Sequence, residues 1–227
     1  MNFLVKFLVS ASTLLLFLSI AETQAVSGDF SSYSQQVVSI AAKPTGHFQE
    51  IRLLVLHPMI KNRDIIIEHR AKLTWDGERC TKTITDFKQR KGKTRGETGV
   101  GKSFNYSYIP ENLKQFCTAS RISGWHPRSG LRLDGAAFNG FEFTANVEGK
   151  KKKSILYLSG NGDIHAISFG FPEEGISHDN NMKEDATLWY FRKTQGNLGL
   201  YKIVEITVQK KSGIPVIKKS IQVFSGF

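Results

Sequence analysis

Along most of the chain apolar and polar residues alternate with a period near two, the pattern of strands buried on one face. Phe141, Phe143, Ala145 and Val147 interleave with polar neighbours and predict one such strand. Glu50 to His57 is an apolar run closed by Pro58, and Asp64 to Trp75 is a second, rich in isoleucine. Asp76-Gly77 then turns the chain into a strand from Arg79 to Phe87, a two-residue hairpin signal. Ser154 to Ser159 and Asp163 to Phe171 are joined through Asn161-Gly162, for which a type I′ turn is expected. The last third adds strands at Thr187 to Lys193, Leu200 to Gln209 and Val216 to Phe224, with turns at Gly196 to Gly199 and Ser212-Gly213.

Helical spacing is rare. Phe30, Tyr33, Val37 and Ala41 recur at that spacing after a capping Asp29, and Lys43-Pro44-Thr45-Gly46 stops the pattern. The segment reads as an amphipathic helix in preference to a first strand. Pro110 to Thr118 is the other helix expected, with Leu113, Phe116 and Cys117 on one face. About ten strands with one or two short helices predict an all-β, antiparallel fold, a sandwich or a barrel-like sheet. No internal repeat and no linker divides it.

The N-terminus breaks the alternation. Lys6 precedes an apolar run from Phe7 to Ile20, too short for a comfortable bilayer span. Small residues follow at Ser19 and Ala21 and again at Thr23 and Ala25. Residues 1–25 are therefore expected to be a secretory signal peptide cleaved after Ala25, in preference to a retained anchor, and residues 26–227 a single domain. The formal net charge is +11, and the leader holds one lysine and one glutamate, so the basicity belongs to the exported part. Such a charge suits a polyanion: a glycosaminoglycan, nucleic acid or an anionic surface. Cys80 and Cys117 are the two cysteines, and an oxidising destination, periplasm or exterior, would pair them. Their bridge would stabilise the fold by at most about 4 kcal/mol.

Candidate chemistry is sparse. Gly96-Glu97-Thr98-Gly99-Val100-Gly101-Lys102-Ser103 spells a phosphate loop. Its surroundings exclude one, because a cationic stretch stands where a buried strand should lead in, and Phe104 to Tyr108 alternates like a strand where a helix should follow. The same region supplies a basic loop, 88–103, in which Lys88, Arg90, Lys91, Lys93, Arg95 and Lys102 oppose Glu97 alone. With Phe104, Tyr106 and Tyr108 beside it, this is the expected polyanion site, weighed against a solvated loop. Lys150 to Lys153 is expected on a solvated turn.

Trp125, His126 and Arg128 lie between Gly124 and Gly130 and read as a loop that could contact a sugar or peptide, or that caps the core with Trp125. Asp163 and His165, two apart on a strand, share a face and form the one acid/base pair to consider. Glu173, Glu174, Asp179, Glu184 and Asp185 surround His178 without regular ligand spacing, so no metal and no cofactor is expected. The terminal Phe227 resembles the end of an outer-membrane barrel, but the polar strands do not suit a lipid-facing wall.

These features predict a secreted, non-enzymatic binding protein, effector- or adhesin-like, presenting basic and aromatic loops to a polyanion or a host protein. Two alternatives stand beside it. One is a secreted hydrolase or nuclease using His165 as base with Asp163; the other is a structural protein tethered to the envelope by charge.

Overall fold

The structure, a computed structural model, describes residues 28–40, 46–56, 66–75, 80–91, 99–105, 116, 118, 121–147, 149–170, 184–211 and 214–225. Among the described residues one helix of more than a single residue, α1 (Phe30–Ile40), precedes eleven strands. These are β1 (Gly46–Leu56), β2 (Ile66–Trp75), β3 (Cys80–Lys91), β4 (Ser103–Asn105), β5 (Ile122–Leu133), β6 (Ala136–Val147), β7 (Lys150–Leu158), β8 (Ile164–Phe169), β9 (Ala186–Thr194), β10 (Asn197–Lys211) and β11 (Ile214–Ser225). The all-β, antiparallel expectation holds. All eleven strands form one sheet in the order β4-β3-β2-β1-β11-β10-β9-β8-β7-β6-β5. Neighbours in the chain pair as hairpins. The one long-range join is β1 with β11, from His47↔Ser225 to Leu56↔Ile217.

Alternation sorts the core onto both faces of the sheet. On β7, Leu156 and Leu158 belong to one cluster while Ile155 and Tyr157 belong to the other. On β9, Trp189 and Phe191 take the first face, and Ala186, Leu188 and Tyr190 take the second. Six consecutive residues of β9, Ala186 to Phe191, are buried because both faces of the strand are covered, and Thr187 is the one polar side chain among them.

Helix α1 covers the first face. Asp29 accepts a hydrogen bond from the Ser32 amide at 2.8 Å and caps it, as its sequence predicts. Tyr33 and Val37, one turn apart, are buried beneath it, and Phe30 is partly buried. Burying these three side chains contributes about 4–6 kcal/mol as an upper estimate. Ala41 and the stop signal after it lie outside the described residues.

Several expectations change. The segment 124–130 is not a loop: it is the middle of β5, where register shifts at Ser123/His126 and Arg128/Leu131 mark two irregularities. Gly124 and Gly130 supply the positive φ angles, 65° and 70°, that let the strand bulge there. The second bulge turns the strand over, so Trp125 packs on the helix side while Leu131 and Leu133 join the opposite cluster. Lys150 to Lys153 is not a turn but the start of β7, paired with Val147 to Thr144 of β6. Strand β3 continues to Lys91, so Lys88, Arg90 and Lys91 sit on a strand and not in a loop.

The Asn161-Gly162 hairpin forms with different geometry. Gly162 has φ 81°, whereas the described non-glycine residues with positive φ are Asp134 and Gln195. The Gly162 amide bonds to the Ser159 carbonyl and the Ser159 amide to that of Asp163, so the turn is a type I turn followed by a left-handed glycine. The type I′ turns are Asp134-Gly135, between β5 and β6, and Gln195-Gly196, between β9 and β10. Of the Pro110 to Thr118 helix, Phe116 and Thr118 are described. Phe116 is helical and packs against Phe30 at 5.3 Å and Phe143 at 5.7 Å. Cys117 lies outside the described residues, and the expected bridge to Cys80 with it.

Candidate functional site

Strand β8 runs beside β9 from Phe169↔Thr187 to Ala166↔Tyr190, and there the pairing ends. Beyond that point each strand follows its own hairpin. Ile164 stays paired with Leu158 of β7, and Phe191 to Thr194 stay paired with β10. The two hairpin tips therefore diverge and open a cleft of about 390 Å³. Its apolar lining is Ile164, Phe191 and Leu198, the first two buried and the third partly so. Ser159, Asn161, Asp163, His165, Arg192, Lys193 and Tyr201 supply the polar lining.

Two bulges shape the lining. A register shift between Tyr157 and Leu158 on β7 leaves His165 as the extra residue of β8, and a shift between Leu200 and Lys202 does the same for Tyr201 on β10. His165 stacks on Phe138 at 4.5 Å and meets the edge of Tyr190 at 6.3 Å. Burial pushes its imidazole below the ordinary 6.5, against the opposing pull of Asp134, so the ring is neutral at pH 7.

Asp163 closes the tips together. Lys193 Nζ lies 3.0 Å from its Oδ2, and Asn161 Nδ2 donates to the same oxygen at 2.6 Å. Asp163 and His165 are neighbours in the cleft, as their spacing implies, but no hydrogen bond joins them. The orienting contact that a carboxylate–imidazole base requires is thus directed elsewhere, to Lys193.

Arg192 is the residue that sequence reasoning missed. Its guanidinium carbon sits 4.4 Å from the centroid of the Tyr201 ring, a cation–π contact. Among the described residues no carboxylate pairs with it. The next ring along, Tyr190, carries Lys202 Nζ at 4.3 Å on the same side of the sheet. The Tyr190 hydroxyl donates to Asp134 Oδ2 at 2.6 Å and so ties the β5–β6 turn to the middle of β9. Burial, and then this bond, raise the Tyr190 phenol far above its ordinary value. Lys219 is lowered by burial and by Lys202.

The other sequence candidates fall elsewhere. Trp125 stacks on Phe141 at 4.4 Å and touches Phe30, Tyr33 and Phe143, so it serves the core beneath α1. His126 and Arg128 instead converge on Glu142, at 4.0 and 2.6 Å, where Lys153 joins them at 3.0 Å. The trio is therefore split between two environments. In the basic region Lys88 and Lys102 are exposed, and the side chains of Arg90, Lys91, Lys93 and Arg95 lie outside the described residues. Gly99 to Lys102 makes a turn against Ile84, and β4 begins at Ser103, whose hydroxyl meets Thr83 at 2.8 Å. A strand thus stands where a phosphate loop would need a helix. Of the acidic cluster, Asp185 accepts a bond from the Val208 amide at 2.7 Å, Glu184 is exposed, and the remainder with His178 lies outside the described residues.

No protein-family model and no curated protein matches the sequence. Among solved structures the chain is similar to a LolA superfamily protein from Nitrosomonas europaea, at 15% identity and a TM-score of 0.35, over 88% of this chain and 93% of that one. It is also similar to an outer membrane lipoprotein-sorting protein domain from Vibrio parahaemolyticus, at 6% identity and a TM-score of 0.34, over 87% and 92%. A third similarity is to MucB in complex with MucA, at 10% identity and a TM-score of 0.25, over 87% and 94%.

Proposed function

We propose that the protein is an exported, non-enzymatic binding protein that holds a small ligand between the β7–β8 and β9–β10 hairpin tips. The observation behind it is the parting of β8 and β9 beyond Ala166↔Tyr190, which leaves a cleft lined by both apolar and polar side chains. Concave sites of about 300–1,000 Å³ with few convergent polar groups are where small molecules bind. Export rests on the signal-peptide pattern of residues 1–25, and a non-catalytic role on the Asp163 carboxylate being held by Lys193 and Asn161.

The test is an amide NMR titration of residues 26–227 with octanol and octanoate, repeated on Leu198→Trp, whose larger side chain would occupy the cleft. Binding in the cleft shifts the amides of Ser159 to His165 and Phe191 to Leu198, and the Trp variant loses those shifts. Shifts unaffected by Leu198→Trp, or none with either compound, would refute the proposal.

A further inference from the structure

We infer that the cleft selects a singly anionic amphiphile, with its acidic group on Arg192 and its apolar part on Ile164, Phe191 and Leu198. This rests on the ligand-cleft reading above and adds the chemical class. Of the charged residues lining the cleft, Lys193 and Asp163 neutralise each other at 3.0 Å. Among the described residues Arg192 is left as the uncompensated charge of the lining, with His165 neutral.

The guanidinium is also held in place. The cation–π contact with Tyr201 restrains the guanidinium at the cleft, where its N–H groups can donate two parallel bonds to a carboxylate, sulfonate or phosphate monoester. Restraining it before binding reduces the ordering entropy that an unsupported arginine would lose. A purely inorganic anion would leave Ile164, Phe191 and Leu198 uncovered, and a neutral apolar molecule would leave Arg192 unmatched. One anionic group at the end of an apolar body satisfies both. The bulge at Leu200/Lys202 is what makes the arrangement, since it swings Tyr201 under Arg192.

The experiment compares octanoate, octanol and octyltrimethylammonium by calorimetry on the wild type, Arg192→Gln, Arg192→Lys and Arg132→Gln, the last an exposed arginine away from the cleft that controls for net charge. Octanoate should bind about tenfold tighter than octanol and the cation weakest, with the preference shrinking as salt rises. Arg192→Gln should bring octanoate within about twofold of octanol, Arg192→Lys should fall between, and Arg132→Gln should leave the preference intact. Equal affinity for acid and alcohol, or a preference that survives Arg192→Gln, overturns the inference and leaves the cleft itself standing. Failure of all three compounds to bind overturns both.

Discussion

The bond from Tyr190 to Asp134 fastens the β5–β6 turn onto the face of β9, and a double-mutant cycle measures it. Tyr190 is 2% exposed and its hydroxyl donates to the carboxylate at 2.6 Å, a short, charge-assisted bond. Tyr190→Phe removes the hydroxyl alone, and the exposed Asp134 can turn to water. The expected cost is about 1–2 kcal/mol. The partner change is Asp134→Gly, because Asp134 has φ 50° and glycine keeps that conformation where alanine would be strained. It costs somewhat more, since the Asp134 charge also faces Lys219. Both changes break one bond, so the double variant should lose less than the sum, with a coupling of about 1–2 kcal/mol in urea unfolding.

The pH dependence has a definite sign. The phenol is raised in the folded state, so its contribution is complete below the ordinary value of 10.0 and is lost as pH rises towards the higher native value. The difference between wild type and Tyr190→Phe should be flat below pH 10 and shrink above it. A coupling under about 0.3 kcal/mol, or a difference that grows with alkali, would refute the fastening role.

Two further predictions concern the sheet near this turn. A Cβ on Gly140 would lie 1.8 Å from the Leu156 carbonyl oxygen and 3.1 Å from Leu131 Cδ1, so Gly140→Ala forces β6 and β7 apart. A loss of about 3 kcal/mol is expected in urea unfolding, and a loss below about 0.5 kcal/mol would show that the strands adjust freely. Burial opposes ionisation of Glu142, yet Arg128 and Lys153 hold its carboxyl below the ordinary 4.5. Its stabilising effect is present above 4.5 and lost as pH falls through the native value, so Glu142→Gln should show less acid-induced loss of stability than the wild type. Equal acid sensitivity in the two proteins would refute that assignment.

Much of this architecture is legible locally. The capped helix at Phe30, the run of β9 and the hairpin at Asn161-Gly162 all follow from residues within a few positions of one another. At 124–130 glycines led the reading astray. Gly124, Pro127 and Gly130 look like loop punctuation around Trp125, but in β5 the glycines supply the positive φ of bulges, and Pro127 lies on the outermost strand of the sheet. Lys150 to Lys153 looked like a turn because four cations resist burial. At that end of β7, Lys150, Lys151 and Lys153 are exposed, and Lys153 meets Glu142 from the neighbouring strand.

By itself the sequence determined the alternation, the turns and therefore an all-antiparallel sheet, because strand period and turn chemistry are carried by adjacent residues. It also placed Asp163 and His165 side by side on one hairpin. Only the tertiary structure decided that β8 and β9 part before their hairpin tips, and that bulges opposite Tyr157 and Tyr190 bring His165 and Tyr201 to the cleft. The physical reason is that a bulge and a splayed pair are properties of two strands in register, and register is set by packing across the sheet. Arg192 meets Tyr201 across that register, so its place in the cleft had no signal within its own segment.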